Sequence, residues 1–293
     1  MEIGVIFPQT ELAGDAQAAR AFAQGVEALG FHHLLAYDHV VGAAHAHREP
    51  PLTGPYTERD PFHDPLALFA HLAAVTERLE LVTGVLVLPQ RQTVLVARQA
   101  ADVDLFSGGR LRLGVGLGWN WVEYQALGES FRDRGHRIEE QIELLRRLWR
   151  EPLVTFAGRW HRLDRVALNP RPRRDIPIWM GGFAERALER AVRLADGFIC
   201  ADGAADAFAQ LGRLRALVEE AGRPAAGFGV QCNLLRAKTP QAVVDTALRW
   251  REAGGSHVAV SSLGLGLQGA AAHLAHLERV ARALADAGLL ATA

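Results

Sequence analysis

Short apolar runs alternate with longer amphipathic stretches along most of the chain. Runs at 3–7, 33–37, 79–86, 110–115, 176–180, 197–200, 227–234 and 257–261 are too short for stable helices and read as buried strands. Between them, apolar residues recur at helical spacing over 16–29, 65–77, 94–106, 135–149, 184–195, 204–221, 240–253 and 270–287. This regular βα alternation, with no break in composition, predicts an α/β fold: one (β/α)8 TIM barrel over residues 1–293. A doubly wound sheet is the alternative, but it would call for fewer strands or a second domain.

Two stretches interrupt the alternation. Residues 42–64, after the second strand, are rich in His, Pro, Thr and Gly, and residues 151–175 read as a short hairpin or extended excursion before the fifth strand. Loops of that length in a barrel are usually functional, and both are expected over its C-terminal mouth. Pro51, Leu52, Pro55, Tyr56, Phe62, Trp160 and Leu163 would give that mouth an apolar lining.

Composition narrows the function classes. A hydrophobic content of 49% with 22% charged residues suits a globular protein, and a net charge of −1 gives no reason to expect nucleic acid or an anionic membrane as partner. The twelve histidines are scattered and form no metal-ligand motif. Cys200 and Cys232 are too few for a disulfide framework and read as buried strand residues. The first residues lack the charged-then-apolar form of a signal peptide, and no apolar run approaches a membrane span, so the cytoplasm is the expected compartment.

The stretch 91–119 is the most informative. A helix with apolar Val94, Leu95, Ala97, Ala101, Val103 and Leu105 stops at Ser107-Gly108-Gly109, and a strand then ends in Gly116-Leu117-Gly118-Trp119. Glycines at a strand's C-terminal end, where barrels place their active sites, let a flat ligand approach the backbone. Strand two ends in Asp38-His39, an acid and an imidazole at the same end of the barrel. Asp38 could instead cap a loop, and His39 could be a hydrogen-bonded rim residue. Strand five ends in Met180-Gly181-Gly182 before a helix, a geometry that suits an anion as well as a plain turn.

The same stretch resembles the luciferase-like monooxygenase superfamily, whose members carry R-x-P-x-x-x-A-[KR]-Q-x-A-x-x-D-x-x-S-x-G-R-x-x-L-G-x-G-x-G-W. Arg91, Ala97-Arg98-Gln99, Ala101, Asp104, Ser107, Gly109-Arg110, Leu113-Gly114, Gly116 and Gly118-Trp119 match in order, with Thr93 where proline is usual. The resemblance implies that Asp38 and His39 line a flavin or deazaflavin ring, with His39 as the proton-handling residue. It also implies a kinked, sometimes cis, peptide at Thr83-Gly84-Val85 against that ring. Gly116, Gly118 and Asn120 become cofactor contacts, and Met180, Gly181, Gly182, Ala201 and Gly203 a phosphate site. Glu123 reads as helping to fix a helix start or as pairing with an arginine, a catalytic role being the less favoured alternative.

The resemblance further implies a homodimer and an oxidoreductase, with coenzyme F420 and hydride transfer to a small organic substrate as the leading expectation. An FMN-dependent monooxygenase, supplied by a separate flavin reductase and consuming oxygen, is the alternative; a non-catalytic flavin-binding protein is a third. Sugar-phosphate dehydrogenases of the deazaflavin branch carry T-S-G-K-G where this chain has Ala201-Asp202-Gly203-Ala204-Ala205. The missing lysine and added carboxylate argue against a sugar-phosphate substrate. Arg91, Arg159 and Arg162 remain candidate anion partners. The glycine-rich loop 261–269 either binds phosphate or tethers the last helix.

Overall fold

The computed structural model describes residues 1–12, 14–203 and 205–291. In chain order the elements are β1 (Glu2–Ile6), α1 (Ala16–Ala28), β2 (His33–Ala36), α2 (Pro65–Ala73), β3 (Glu80–Thr83), β4 (Leu86–Val87), α3 (Thr93–Phe106) and β5 (Leu111–Gly116). Then follow α4 (Trp121–Ala126), α5 (Arg134–Arg150), β6 (Val154–Ala157), β7 (Arg162–Val166), β8 (Ile178–Gly181), α6 (Glu185–Leu194) and β9 (Gly197–Ala201). The chain closes with α7 (Ala207–Glu220), β10 (Gly229–Leu234), α8 (Pro240–Glu252), β11 (His257–Ser261) and α9 (Gly269–Asp286).

The sheet runs β3-β2-β1-β11-β10-β9-β8-β5-β4, and β3 also pairs with β5, which closes the ring. Both β3 and β4 pair in parallel with β5 and are halves of one barrel strand, interrupted at the cis Gly84–Val85 peptide. Counted that way, the barrel has the eight parallel strands expected, and its closure excludes the open doubly wound sheet. Two local expectations change. The strand foreseen at 79–86 is split in two, and α4 adds a short helix. The helix foreseen from Ala204 is seen as Ala207–Glu220, Ala204 itself lying outside the described residues.

Burial on both faces explains why the strands read as nearly unbroken apolar runs. Ile6, Leu35, Val82, Trp179, Ile199 and Ala259 form one buried cluster inside the barrel. The alternate residues, such as Val5, Leu34, Leu81, Leu113, Phe198 and Val258, belong to the core beneath the helices. Each such side chain contributes about 1.5–3 kcal/mol on burial. Cys200 and Cys232 are in this outer core, as expected; burial pushes the Cys200 thiol up to about 12 and raises that of Cys232 also.

The N-terminal end of the barrel is closed by polar side chains. Arg112 donates to Glu80 Oε2 at 2.7 and 3.1 Å and to Gln231 Oε1 at 3.1 Å, and its guanidinium lies 4.3 Å from the Trp179 ring centroid. Gln231 in turn donates to Asn233 Oδ1 at 2.9 Å. The His33 ring lies over Gly4, where a Cβ would collide with it.

Candidate active site

At the opposite end, β2 delivers Tyr37, Asp38 and His39 to the rim. The Asp38 carboxylate is fully buried and accepts from Arg91 Nη2 at 2.6 Å and from the Val87 amide at 2.8 Å. Arg91 also donates to Asp64 at 2.7 Å, and Asp64 caps α2 through the Leu66 and Ala67 amides. Burial alone would lower the Arg91 pKa, but the two carboxylates outweigh it and raise it. Asp38 therefore ties the strand beyond the cis peptide to β2. Arg91 is committed to two aspartates, which corrects the expectation of a free anion partner.

His39 turns the other way. Its Nδ1 is 3.0 Å from Glu123 Oε2, and its side chain is 10% exposed. The other Glu123 oxygen accepts from the amides of Val40 and Val41. Aromatic rings surround the imidazole, with Phe62, Tyr56 and Trp119 centroids at 4.8, 5.5 and 5.6 Å. Asn120 is the N-cap of α4, its Oδ1 accepting from Val122 and Glu123 amides at 3.1 and 3.2 Å. That cap holds the turn from which Glu123 reaches His39. Glu123 thus partners a histidine, not an arginine.

The cis Gly84–Val85 peptide lies where the resemblance implied. Thr83 Oγ1 donates to the Gly114 carbonyl at 2.7 Å, and Val85 packs against the barrel's inner cluster. The neighbouring glycines admit these residues: a Cβ on Gly116 would collide with Val85 Cγ2, and one on Gly118 would crowd Val87. On the side that a Cβ would occupy, both glycines meet the protein's own valines. Met180 is buried in the outer core, and Gly181 ends β8 beneath Val85. The Gly182 carbonyl accepts from Gln210 at 3.1 Å. Beyond it α6 starts without a side-chain cap, whereas α7 is capped by Asp206. Ala201 ends β9, and Gly203 lies against Leu235. The Asp202 carboxylate accepts from the amides of Leu235 and Arg236 at 2.7 and 3.1 Å, which directs it into the backbone of the next loop.

The two long loops behave differently. The β2–α2 loop supplies Tyr56 and Phe62 to the His39 cage, and Gly54 abuts Trp119. The β6–β7 hairpin packs beside the barrel on α5, and its tip reaches the start of α3. Glu140 of α5 accepts from the amides of Arg159, Trp160 and His161, and His161 Nε2 is 2.6 Å from Thr93 Oγ1 at the start of α3. Arg159 stacks on Trp160 and Arg162 is exposed on β7, so both anion candidates belong to the hairpin.

Sequence reasoning passed over Gln9 and Gln90. Both are buried at the C-terminal end, and Gln9 Nε2 and both side-chain amide atoms of Gln90 lack partners among the described residues. Gln9 Oε1 accepts from the Tyr37 amide at 3.1 Å. No periodicity marks such residues, because a glutamine after a strand looks like any loop residue. Among the described residues no group of His, Cys, Asp and Glu could hold a metal ion, and no helix is long and apolar enough to cross a membrane.

Residues 1–292 match the family described as luciferase-like monooxygenase. An uncharacterized protein of Mycobacterium tuberculosis is 39% identical over 170 residues, 57% of this chain and 58% of the relative. An FMNH(2)-dependent dimethylsulfone monooxygenase of Pseudomonas fluorescens is 33% identical over 139 residues, covering 46% and 38%. An F420-dependent glucose-6-phosphate dehydrogenase of Kineococcus radiotolerans is 34% identical over 147 residues, covering 48% and 43%. The matches thus span between 38% and 58% of these relatives' lengths. The crystal structure of monooxygenase RslO1 from Streptomyces bottropensis superposes with a TM-score of 0.76 at 21% identity, covering 98% of each chain, and shares the fold.

Proposed function

Because the chain belongs to the luciferase-like monooxygenase family, we propose that it is an oxidoreductase transferring hydride between coenzyme F420 and a small organic substrate at the C-terminal mouth. The observation that carries this reading is the His39–Glu123 pair inside an aromatic cage. A carboxylate on Nδ1 keeps the proton on that nitrogen, so the neutral ring presents Nε2 as acceptor. The same carboxylate stabilises the imidazolium once Nε2 has taken a proton. His39 can therefore accept or return one proton at Nε2 while Tyr56, Phe62 and Trp119 exclude water.

The residues fit a deazaflavin or flavin. Tyr37, Val85, Leu235 and Leu263 pack on the inner cluster and offer an apolar surface for a ring. The uncapped start of α6 behind Gly181-Gly182 offers free amides to a phosphate. When bound, F420 supplies two electrons as hydride from a ring carbon. The protein's part is to hold that carbon against substrate, keep the mouth dry and manage the proton.

FMN is the second reading, favoured by the 33% identity to the FMNH(2)-dependent relative. Fluorescence titration of the purified protein with F420 and, in parallel, with FMN separates the two. Micromolar or tighter F420 binding with weak FMN binding is expected. The reverse preference, with oxygen uptake in the presence of a flavin reductase, would overturn the F420 assignment.

A further inference from the structure

We propose that Gln9 is a substrate-binding residue, and that the substrate is an uncharged, mainly apolar molecule bearing a hydrogen-bond acceptor, such as a ketone. The proposal deepens the oxidoreductase reading and rests on it for the identity of the mouth as a substrate site. The Tyr37 N–H is a donor, so the atom 3.1 Å from it must be the Gln9 oxygen, and Nε2 is forced to the other side. There it has no partner among the described residues, although Gln9 is only 3% exposed. A buried donor without an acceptor is destabilising, a penalty that a ligand oxygen would remove.

The substrate must lie against the cofactor ring, so the apolar surface proposed for that ring also bounds the substrate. Tyr37, Val85, Leu235 and Leu263 are partly buried and pack on Ile6, Leu35, Val82, Trp179, Ile199 and Ala259. Leu263 begins the β11–α9 loop, in which half-buried Leu263, Leu265 and Leu267 alternate with exposed Gly264 and Gly266. That loop is tied to the rim by Glu11 Oε1 on the Gly264 amide at 2.9 Å and by Lys238 on the Leu263 carbonyl at 2.8 Å. It therefore presents its leucines to the protein and its glycines to solvent. Asp38, Arg91, Asp64, Glu123 and Asp202 are likewise committed to protein partners. Gln9 Nε2, together with the unpaired side-chain amide of Gln90 at the same end, selects an acceptor carried on a mainly apolar body, because a substrate lacking the acceptor leaves the donors unpaired.

The test uses ligand-observed NMR on the full chain, alone and saturated with whichever of F420 and FMN it binds. Acetophenone, ethylbenzene and benzoate are compared on the wild type and on Gln9→Glu. Glutamate keeps an oxygen for the Tyr37 amide but removes the donor. Acetophenone should bind at least tenfold tighter than ethylbenzene or benzoate, and Gln9→Glu should abolish its advantage over ethylbenzene. Gln9→Met is the second variant if Gln9→Glu does not fold. Equal binding of acetophenone and ethylbenzene, tighter binding of benzoate, or an unchanged preference in a folded variant would overturn the proposal. Failure to bind either cofactor would sink the oxidoreductase reading separately, since the acetophenone preference is read without turnover.

Discussion

The two ends of the barrel interior use similar residues to opposite effect. At the N-terminal end, Arg112 is held by Glu80, Gln231 and the Trp179 ring, and every donor of that network is directed at a protein partner. At the C-terminal end, Asp38, Arg91 and Asp64 form an equally closed network, but beside it stand His39, poised on Glu123, and the unpaired amides of Gln9 and Gln90. One end reads as a plug and the other as a site. The difference lies not in how polar the residues are but in whether their hydrogen-bonding capacity is already used. His33 complicates the plug, for both of its ring nitrogens lack partners among the described residues. Burial, with Arg112 adding, holds its pKa well below the ordinary value, so it is a neutral ring clamped over Gly4. A cavity of about 470 Å³ also opens at this end, lined by Glu2, Glu80 and His257 among others, opposite the end at which barrels place their active sites.

Substitutions at the two ends should separate function from stability. The largest effect is expected at His39. His39→Ala should lower turnover per folded molecule by on the order of 10²–10⁴-fold while leaving cofactor titration nearly unchanged. Wild-type turnover in that variant would remove His39 from proton handling and erase the contrast. Next comes Arg112→Ala, which strands Gln231 and Glu80 and removes the stacking partner of Trp179. Urea unfolding should show a loss of about 3 kcal/mol, somewhat less if solvent at Glu80 compensates, with turnover per folded molecule unchanged.

The smallest effect per step is pH dependence. His257 is pushed down to about 3 by burial, with Arg112 next, and His33 is lowered in the same way. The folded state keeps both rings neutral, while the unfolded chain takes up protons near 6.5. Stability contributed by each is therefore complete above that pH and lost as pH falls toward the folded value, by up to about 1.4 kcal/mol per pH unit for each proton. Chemical denaturation between pH 7 and 4, with His33→Gln as comparison, measures the slope. A slope left unaltered by the His33→Gln substitution would mean that the plug does not exclude the charged imidazole.

The eight strands and their helices were legible in the sequence because burial on both faces writes strands as short apolar runs and helices as wider amphipathic ones. The 91–119 motif and the Asp38-His39 pair were equally legible, since residue type and spacing survive in one dimension. What each side chain bonds to was not. Glu123 lies 84 positions from His39, and Arg91 lies 53 from Asp38. Gly116 and Gly118 read as room for a ligand, and the structure shows that on their Cβ side they make room for Val85 and Val87. The sequence by itself determined the alternating βα units and the motif at 91–119, because local patterning sets elements and residue spacing, while closure of the ring came from the β3–β5 pairing. Only the tertiary structure decided which polar groups are already paired, because hydrogen bonds are short and directional and the chain brings their partners together from distant positions.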